Sequence, residues 1–140
     1  MGNIERFLEA QDKSYYDYGS ALEEMRNGWK FGHWIWYVFP QMKGIGHSAK
    51  SELYGIADRD EAVAYLQNAT LNGRIHEICE ALLSHKGKPI NKIFGSIDAE
   101  KVKASMTLFD VVSPNEIFAQ VLDAFFDGER DQRTLELLNG

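Results

Sequence analysis

Apolar and semi-apolar side chains recur at Ile4, Leu8, Gln11, Tyr15, Tyr18, Leu22 and Met25, in alternating steps of four and three. That spacing draws one stripe along an amphipathic helix, so the chain is predicted to open with a single long helix ending near Asn27-Gly28. Gly19 interrupts it. A glycine inside a helix costs about 1 kcal/mol against alanine, so Gly19 reads as a point where another backbone comes close. Trp34 to Phe39 follow, apolar on both alternating faces and stopped by Pro40, whose ring disfavours helical geometry at Phe39. A short buried helix and an extended stretch both fit that run.

Further along, Ser48 or Ser51 can cap a short helix through Ile56, and Asp58 or Asp60 a second carrying Ala62, Val63, Tyr65 and Leu66. Leu71, Ile75, Ile78, Cys79 and Leu82 stand at helical spacing, closed by His85-Lys86-Gly87. Pro89 can open a short helix to Phe94-Gly95, and Ser96 or Asp98 can cap another whose Val102, Ser105, Met106 and Phe109 share a face. Beyond the break at Ser113-Pro114, Ile117, Phe118, Val121, Leu122 and Phe125 form a strongly amphipathic helix, and Asp131 can cap a last one through Leu137 and Leu138. At most one strand candidate is present, so a sheet has nothing to pair with. The expectation is all-α: a compact multihelical single domain over residues 1–140, with about six to eight helices.

Composition changes the picture little. A chain of 140 residues that is 44% hydrophobic can bury roughly two thirds of its unfolded surface. The formal net charge of −6 opposes non-specific binding to duplex nucleic acid, which needs an extended basic face, but is compatible with a nucleotide-sized anion. Cys79 is the only cysteine, so no intramolecular disulfide is expected and a reducing, cytoplasmic home is the default. The longest apolar run, Trp34 to Phe39, is far short of the roughly 20 residues a membrane span needs, and the first residues lack an export signal's pattern. Neither membrane anchoring nor export is expected.

Charge distribution is more informative. Residues 25–51 contain no Asp or Glu, while the remainder holds all 21 acids. The same window carries all three tryptophans, Trp29, Trp34 and Trp36, with Arg26, Lys30, Lys43, Lys50, His33 and His47. A local field of sign opposite to the whole chain suggests an anionic partner. Within it, the glycine pair of Lys43-Gly44-Ile45-Gly46-His47-Ser48 precedes a predicted helix start, which lets backbone amides and a helix dipole face an anion. Neither a Walker spacing nor a G-x-G-x-x-G run occurs. The same residues also make a tight turn with a serine N-cap.

The tryptophans have two readings. Each buries a large area, so Trp34 and Trp36 read as structural first, yet an indole face also stacks on a base for about 1–3 kcal/mol. His33 is either a satisfied neighbour of these rings or, if chemistry occurs, the first choice for proton transfer. Gln11 sits in the apolar stripe, so its amide must bond internally or read a ligand's polar edge. Ser105 poses the same question, with close packing the simpler answer. Asp98 reads as a cap, Lys101 and Lys103 as solvated, and Thr107 as lying off the Val102 face.

The histidines offer no metal-ligand pair beyond His76 with Cys79 or Glu80, so no metal or cofactor is expected, and Cys79 reads as a buried inert thiol. No G-x-S-x-G elbow is present, and Ser48, Ser105 and Cys79 lack an assignable base. Whether the protein is an enzyme is left open.

The segments RFLEAQ, GHWIWYVFPQMKGIGHS and IFGSIDAEKVKASMTLF resemble the bacterial domain-of-unknown-function family 1810, over nearly the whole chain. Members sometimes carry the label calpastatin, but nothing here resembles the extended inhibitory repeats of a calpastatin. The resemblance implies a compact multihelical domain and no particular activity.

Two functional readings follow. In the first, Gln11, His33, Trp36, Gln41, Gly44, Gly46 and Ser48 line a pocket for a small phosphate-bearing or nucleotide-like ligand, with His33 as acid or base if the ligand is turned over. In the second, the aromatic segment docks a protein partner or a second copy of the chain. A third possibility, an aromatic core with a basic rim, carries no function.

Overall fold

Asp17 ends the stripe that begins at Ile4. Its carboxylate accepts a hydrogen bond from the Ser20 amide at 2.9 Å, the geometry of an N-cap. A new helix therefore starts there. The expected long helix is two, α1 (Glu5–Lys13) and α2 (Tyr18–Asn27), joined by Ser14 to Asp17. Tyr15 fits the apolar spacing but is 90% exposed. Gly19 is also exposed, and a side chain there would meet nothing closer than Asp17 at 3.7 Å. It marks no backbone approach.

The computed structural model describes residues 3–139. Met1, Gly2 and Gly140, at the ends of the expected 1–140 span, lie outside them. The helices continue as α3 (Ile35–Val38), α4 (Ala49–Tyr54), α5 (Arg59–Gln67), α6 (Ala69–Leu83), α7 (Ile90–Phe94), α8 (Ser96–Val112), α9 (Ile117–Phe126) and α10 (Gln132–Asn139). Among the described residues the fold is all-helical, but ten helices stand where six to eight were expected. The first stripe splits at Asp17, and the Trp34–Phe39 run contributes a single helical turn.

Local capping chemistry sets the other starts. Ser48, Asp58, Asn68 and Asp131 each accept from the amide three residues on, opening α4, α5, α6 and α10. At α8 neither Ser96 nor Asp98 caps; Gly95, at φ +81°, occupies the N-cap position and Asp98 pairs with Lys30 instead. Among the described residues the one strand-like pairing is an isolated parallel bridge between Met42 and Ile56. It closes the loop that carries α4.

Around α8 pack α3, α5, α7, α9 and α10, and Ala104 to Phe109 are all buried. Thr107, off the Val102 face, is buried too, because its hydroxyl accepts from the Asp131 amide at 2.9 Å. Phe7, Tyr65, Phe109 and Phe118 form a chain of edge and tilted ring contacts, with centroids 5.2 to 5.5 Å apart. Such pairs add about 0.5–1.5 kcal/mol each beyond burial. Trp34, Phe39 and Phe94 form a second cluster. No described helix is long and apolar enough to cross a membrane.

Candidate functional site

The acid-free window meets an internal anion. Glu24, one residue before it, accepts at a single carboxylate oxygen from the Phe31 amide (2.9 Å), the Gly32 amide (3.0 Å) and the Trp34 indole N–H (2.9 Å). A Cβ at residue 32 would lie 2.8 Å from the other Glu24 oxygen and from the Tyr16 ring, so a larger residue there would have to displace one of these side chains. Lys30 donates to the Gly32 carbonyl and reaches the Asp98 carboxylate, both at 2.7 Å. These bonds seat Trp34 in the core and fix where α3 begins.

A single turn of α3 buries Trp34, Ile35, Tyr37 and Val38 and leaves Trp36 half-buried on the opposite side. Two ammonium groups stand over its ring, Lys50 at 5.0 Å and Lys101 at 5.5 Å from the centroid. Trp36 forms one wall of a cleft of about 480 Å³, with Ser14, Tyr15, Tyr16, His33, Tyr37, Lys50 and Tyr54. None of these is a carboxylate, and among the described residues Lys50 has no ion-pair partner. The His33 ring meets Tyr16 edge-on at 5.4 Å.

Several bonds hold the cleft's shape. The Tyr37 hydroxyl donates to the Tyr16 carbonyl at 2.6 Å, tying the α1–α2 link to α3. Arg6 donates to the carbonyls of Leu53 and Gly55, the residues flanking Tyr54, at 2.8 Å each. Burial pushes the phenols of Tyr37 and Tyr54 up, aided at Tyr54 by the Glu9 charge. Both therefore act as neutral hydrogen-bonding groups. A second groove of about 350 Å³, lined by Arg6, Glu9, Ala10, Lys13 and Leu53, shares Ser14 and Tyr54 with the cleft.

At the base of Trp36 lies a recess of about 10 Å³, lined also by Gln41, Ser51, Tyr54 and Gly55. Here the Trp36 indole N–H and the Gln41 carboxamide oxygen are buried with no hydrogen-bond partner among the described residues. An unpaired buried polar atom costs about 1–3 kcal/mol, so two at one place mark a site open to a partner of the right chemistry.

The residues singled out in the sequence divide into three groups. His33, Trp36 and Gln41 meet at the cleft and its recess. Gly46 packs on that assembly from behind: a Cβ there would lie 2.4 Å from the Ser51 hydroxyl and 3.4 Å from the Gln41 amide nitrogen. Ser48 caps α4 and shares a hydrogen bond with Ser51 at 3.0 Å. Gln11 and Gly44 stand apart. The Gln11 amide donates to the Tyr37 carbonyl (2.8 Å) and lies 3.2 Å from the Tyr65 hydroxyl, while its oxygen accepts from Arg74 at 3.2 Å. Gly44, at φ +101°, turns beside Leu137.

Sequence reasoning missed Tyr16, Tyr54 and Lys101. Lys101 read as solvated because a lysine stem covers apolar surface without changing helical periodicity. The two tyrosines lie in predicted helices, and only the unexpected break after Lys13 turns Tyr16 toward His33. Cys79 is fully buried, and burial pushes its thiol up, so it is not a nucleophile at neutral pH.

The family described as protein of unknown function (DUF1810) matches residues 1–138. The crystal structure of the conserved hypothetical protein Rv1873 from Mycobacterium tuberculosis is similar at 40% identity, covering 98% of this chain and 96% of that one, with a TM-score of 0.92. No curated protein matches the chain.

Proposed function

The chain belongs to the DUF1810 family of proteins of unknown function, and we propose that it binds a small phosphate-bearing or nucleotide-like anion in the cleft between the α1–α2 link, α3 and α4. The observation that carries this reading is the lining itself: four tyrosines, Trp36, His33 and Lys50 around about 480 Å³, with no carboxylate, in a protein of 21 acids. Lys50 supplies a positive charge, Lys101, paired with Asp98 at 3.5 Å, stands beside it over the same indole, and the exposed Tyr15 ring and half-buried Tyr16 ring supply faces for a base. His33 brings the one imidazole to the lining, so turnover of the ligand, if the protein is an enzyme, would use it as acid or base. Gly46 and Ser48 support the wall rather than touch the ligand. In this reading residues 1–140 work as one domain, in the cytoplasm, without duplex nucleic acid, metal or cofactor.

The test is thermal denaturation with adenosine and guanosine phosphates, ADP-ribose and inorganic phosphate. A ligand at about 100 times its dissociation constant adds roughly 2.7 kcal/mol, a rise of several degrees. The rise should vanish in Lys50→Glu and persist in Trp29→Ala. A flat response across the panel would overturn the reading.

A protein-interaction or self-association module is the second reading. It is favoured by Trp29 and Phe31, 60% and 66% exposed with ring centroids 5.5 Å apart, outside the cleft. Sedimentation that depends on concentration and is abolished by Trp29→Ala would support it.

A further inference from the structure

The recess beneath Trp36 has a defined chemistry. An indole N–H is satisfied only by an acceptor and a carboxamide oxygen only by a donor. Both atoms are buried with no partner among the described residues, Gln41 is 7% exposed, and the space their side chains help line is about 10 Å³. That is room for one oxygen-sized group. A phosphate or carbonyl oxygen would satisfy Trp36 and leave Gln41 unpaired, and an ammonium would do the reverse. A hydroxyl does both at once. The Gln41 amide nitrogen lies toward Gly46, where a side chain would begin 3.4 Å away, which leaves the oxygen for the recess.

Resting on the anion-binding reading above, we propose that this recess reads a sugar hydroxyl, so that the ligand is a ribose-bearing phosphate ester and its dideoxy form is rejected. Trp36 and Tyr54 line both the cleft and the recess. A ribose in the cleft therefore presents a ring hydroxyl to Trp36 and Gln41 while its phosphate stays near Lys50 and Lys101, which stand over the same indole. Sites built to hydrogen-bond a substrate hydroxyl discriminate strongly against analogues that lack it, because the buried partners are left unpaired.

Calorimetric titration of the purified protein with adenosine 5′-monophosphate, 2′,3′-dideoxyadenosine 5′-monophosphate, ribose 5-phosphate and inorganic phosphate tests this. The expected result is that the dideoxy nucleotide binds at least tenfold more weakly than the ribonucleotide. In Gln41→Met, close in volume but without the acceptor, the preference for the ribonucleotide should shrink several-fold without vanishing, because the Trp36 N–H still meets the hydroxyl, while the melting temperature stays at or above that of the wild type. Equal binding of the two nucleotides to the wild type would overturn the hydroxyl reading and leave the anion cleft standing. No binding of any of the four probes at millimolar concentration would overturn both. A fall of several degrees in Gln41→Met would make the amide structural and also sink the proposal.

Discussion

Glu61, like Glu24, is a carboxylate on which three hydrogen bonds converge. It is 2% exposed, accepts from the two terminal nitrogens of the Arg6 guanidinium at 2.7 and 3.1 Å, and accepts from the Ala57 amide at 2.8 Å. Burial alone would raise its carboxyl, but the Arg6 and Ala57 bonds outweigh it and hold the group below the usual carboxylate range. A depressed folded value means that the unfolded chain binds the proton more readily. The stability contributed is complete above about pH 4.5, where the unfolded carboxyl is ionised, and is lost as pH falls through the folded value. Glu61→Gln should cost about 3–5 kcal/mol at neutral pH, since it leaves Arg6 facing a neutral group. Urea melts between pH 3 and pH 7 should then show a shallower acid slope than the wild type; an unchanged slope would assign the acid sensitivity elsewhere. Residue-scale facts of this kind were half legible. An amide at Gln11 in an apolar stripe had to be paired, but its partners Tyr37 and Arg74 lie 26 and 63 positions away, and local periodicity carries no record of them. Lys101 over Trp36 went unseen for the same reason.

Helix starts were legible wherever the chemistry is local. Ser48, Asp58 and Asp131 cap through the amide three residues on, a bond whose two halves sit side by side in the sequence. The α1–α2 break was not, because Tyr15 fits the stripe and no glycine or proline announces the turn. Its consequence is large, since the break sets Tyr15 and Tyr16 along the cleft. The loop before α4 shows what a glycine does when space decides. A Cβ at Gly46 would sit 2.4 Å from the Ser51 hydroxyl, so Gly46→Ala must displace Ser51 and with it the Ser48–Ser51 bond. The expected cost is about 1–3 kcal/mol. Ser51→Gly alone costs about 1 kcal/mol as a helical glycine, and in the double variant it should return much of the Gly46→Ala loss, giving a favourable coupling in a double-mutant cycle. Gly44→Ala should gain nothing from Ser51→Gly, because its difficulty is a φ of +101° and not crowding. Additive urea midpoints for Gly46→Ala and Ser51→Gly would remove the packing account.

At the scale of the molecule the cleft is a positive place on a negative body. The net charge is −6 while the cleft lining holds Lys50 and no carboxylate, with Lys101 standing over its Trp36 wall. Salt acts on these two fields at different ranges. At 0.01 M the screening length is about 30 Å, and the acids of the whole surface repel an approaching anion; at 0.15 M it is about 8 Å, and only neighbouring charges are felt. Lys50 and Lys101, within 5.5 Å of the Trp36 centroid, still act there. At 1 M the length falls to about 3 Å and their attraction weakens as well. Affinity for adenosine 5′-monophosphate should therefore hold or rise from 0.01 to 0.15 M salt and decline toward 1 M. A basic patch acting without that acidic surround would lose affinity steadily from the lowest salt. Titrations at constant pH across the series decide between them, and Lys50→Gln sharpens the test by removing the unpaired cation. In that variant the decline toward 1 M should flatten while the rise at low salt persists, because the acidic surface is untouched. A steady decline in the wild type would mean that the surface acids lie too far from the cleft to matter, and that the window's sequence charge alone governs binding.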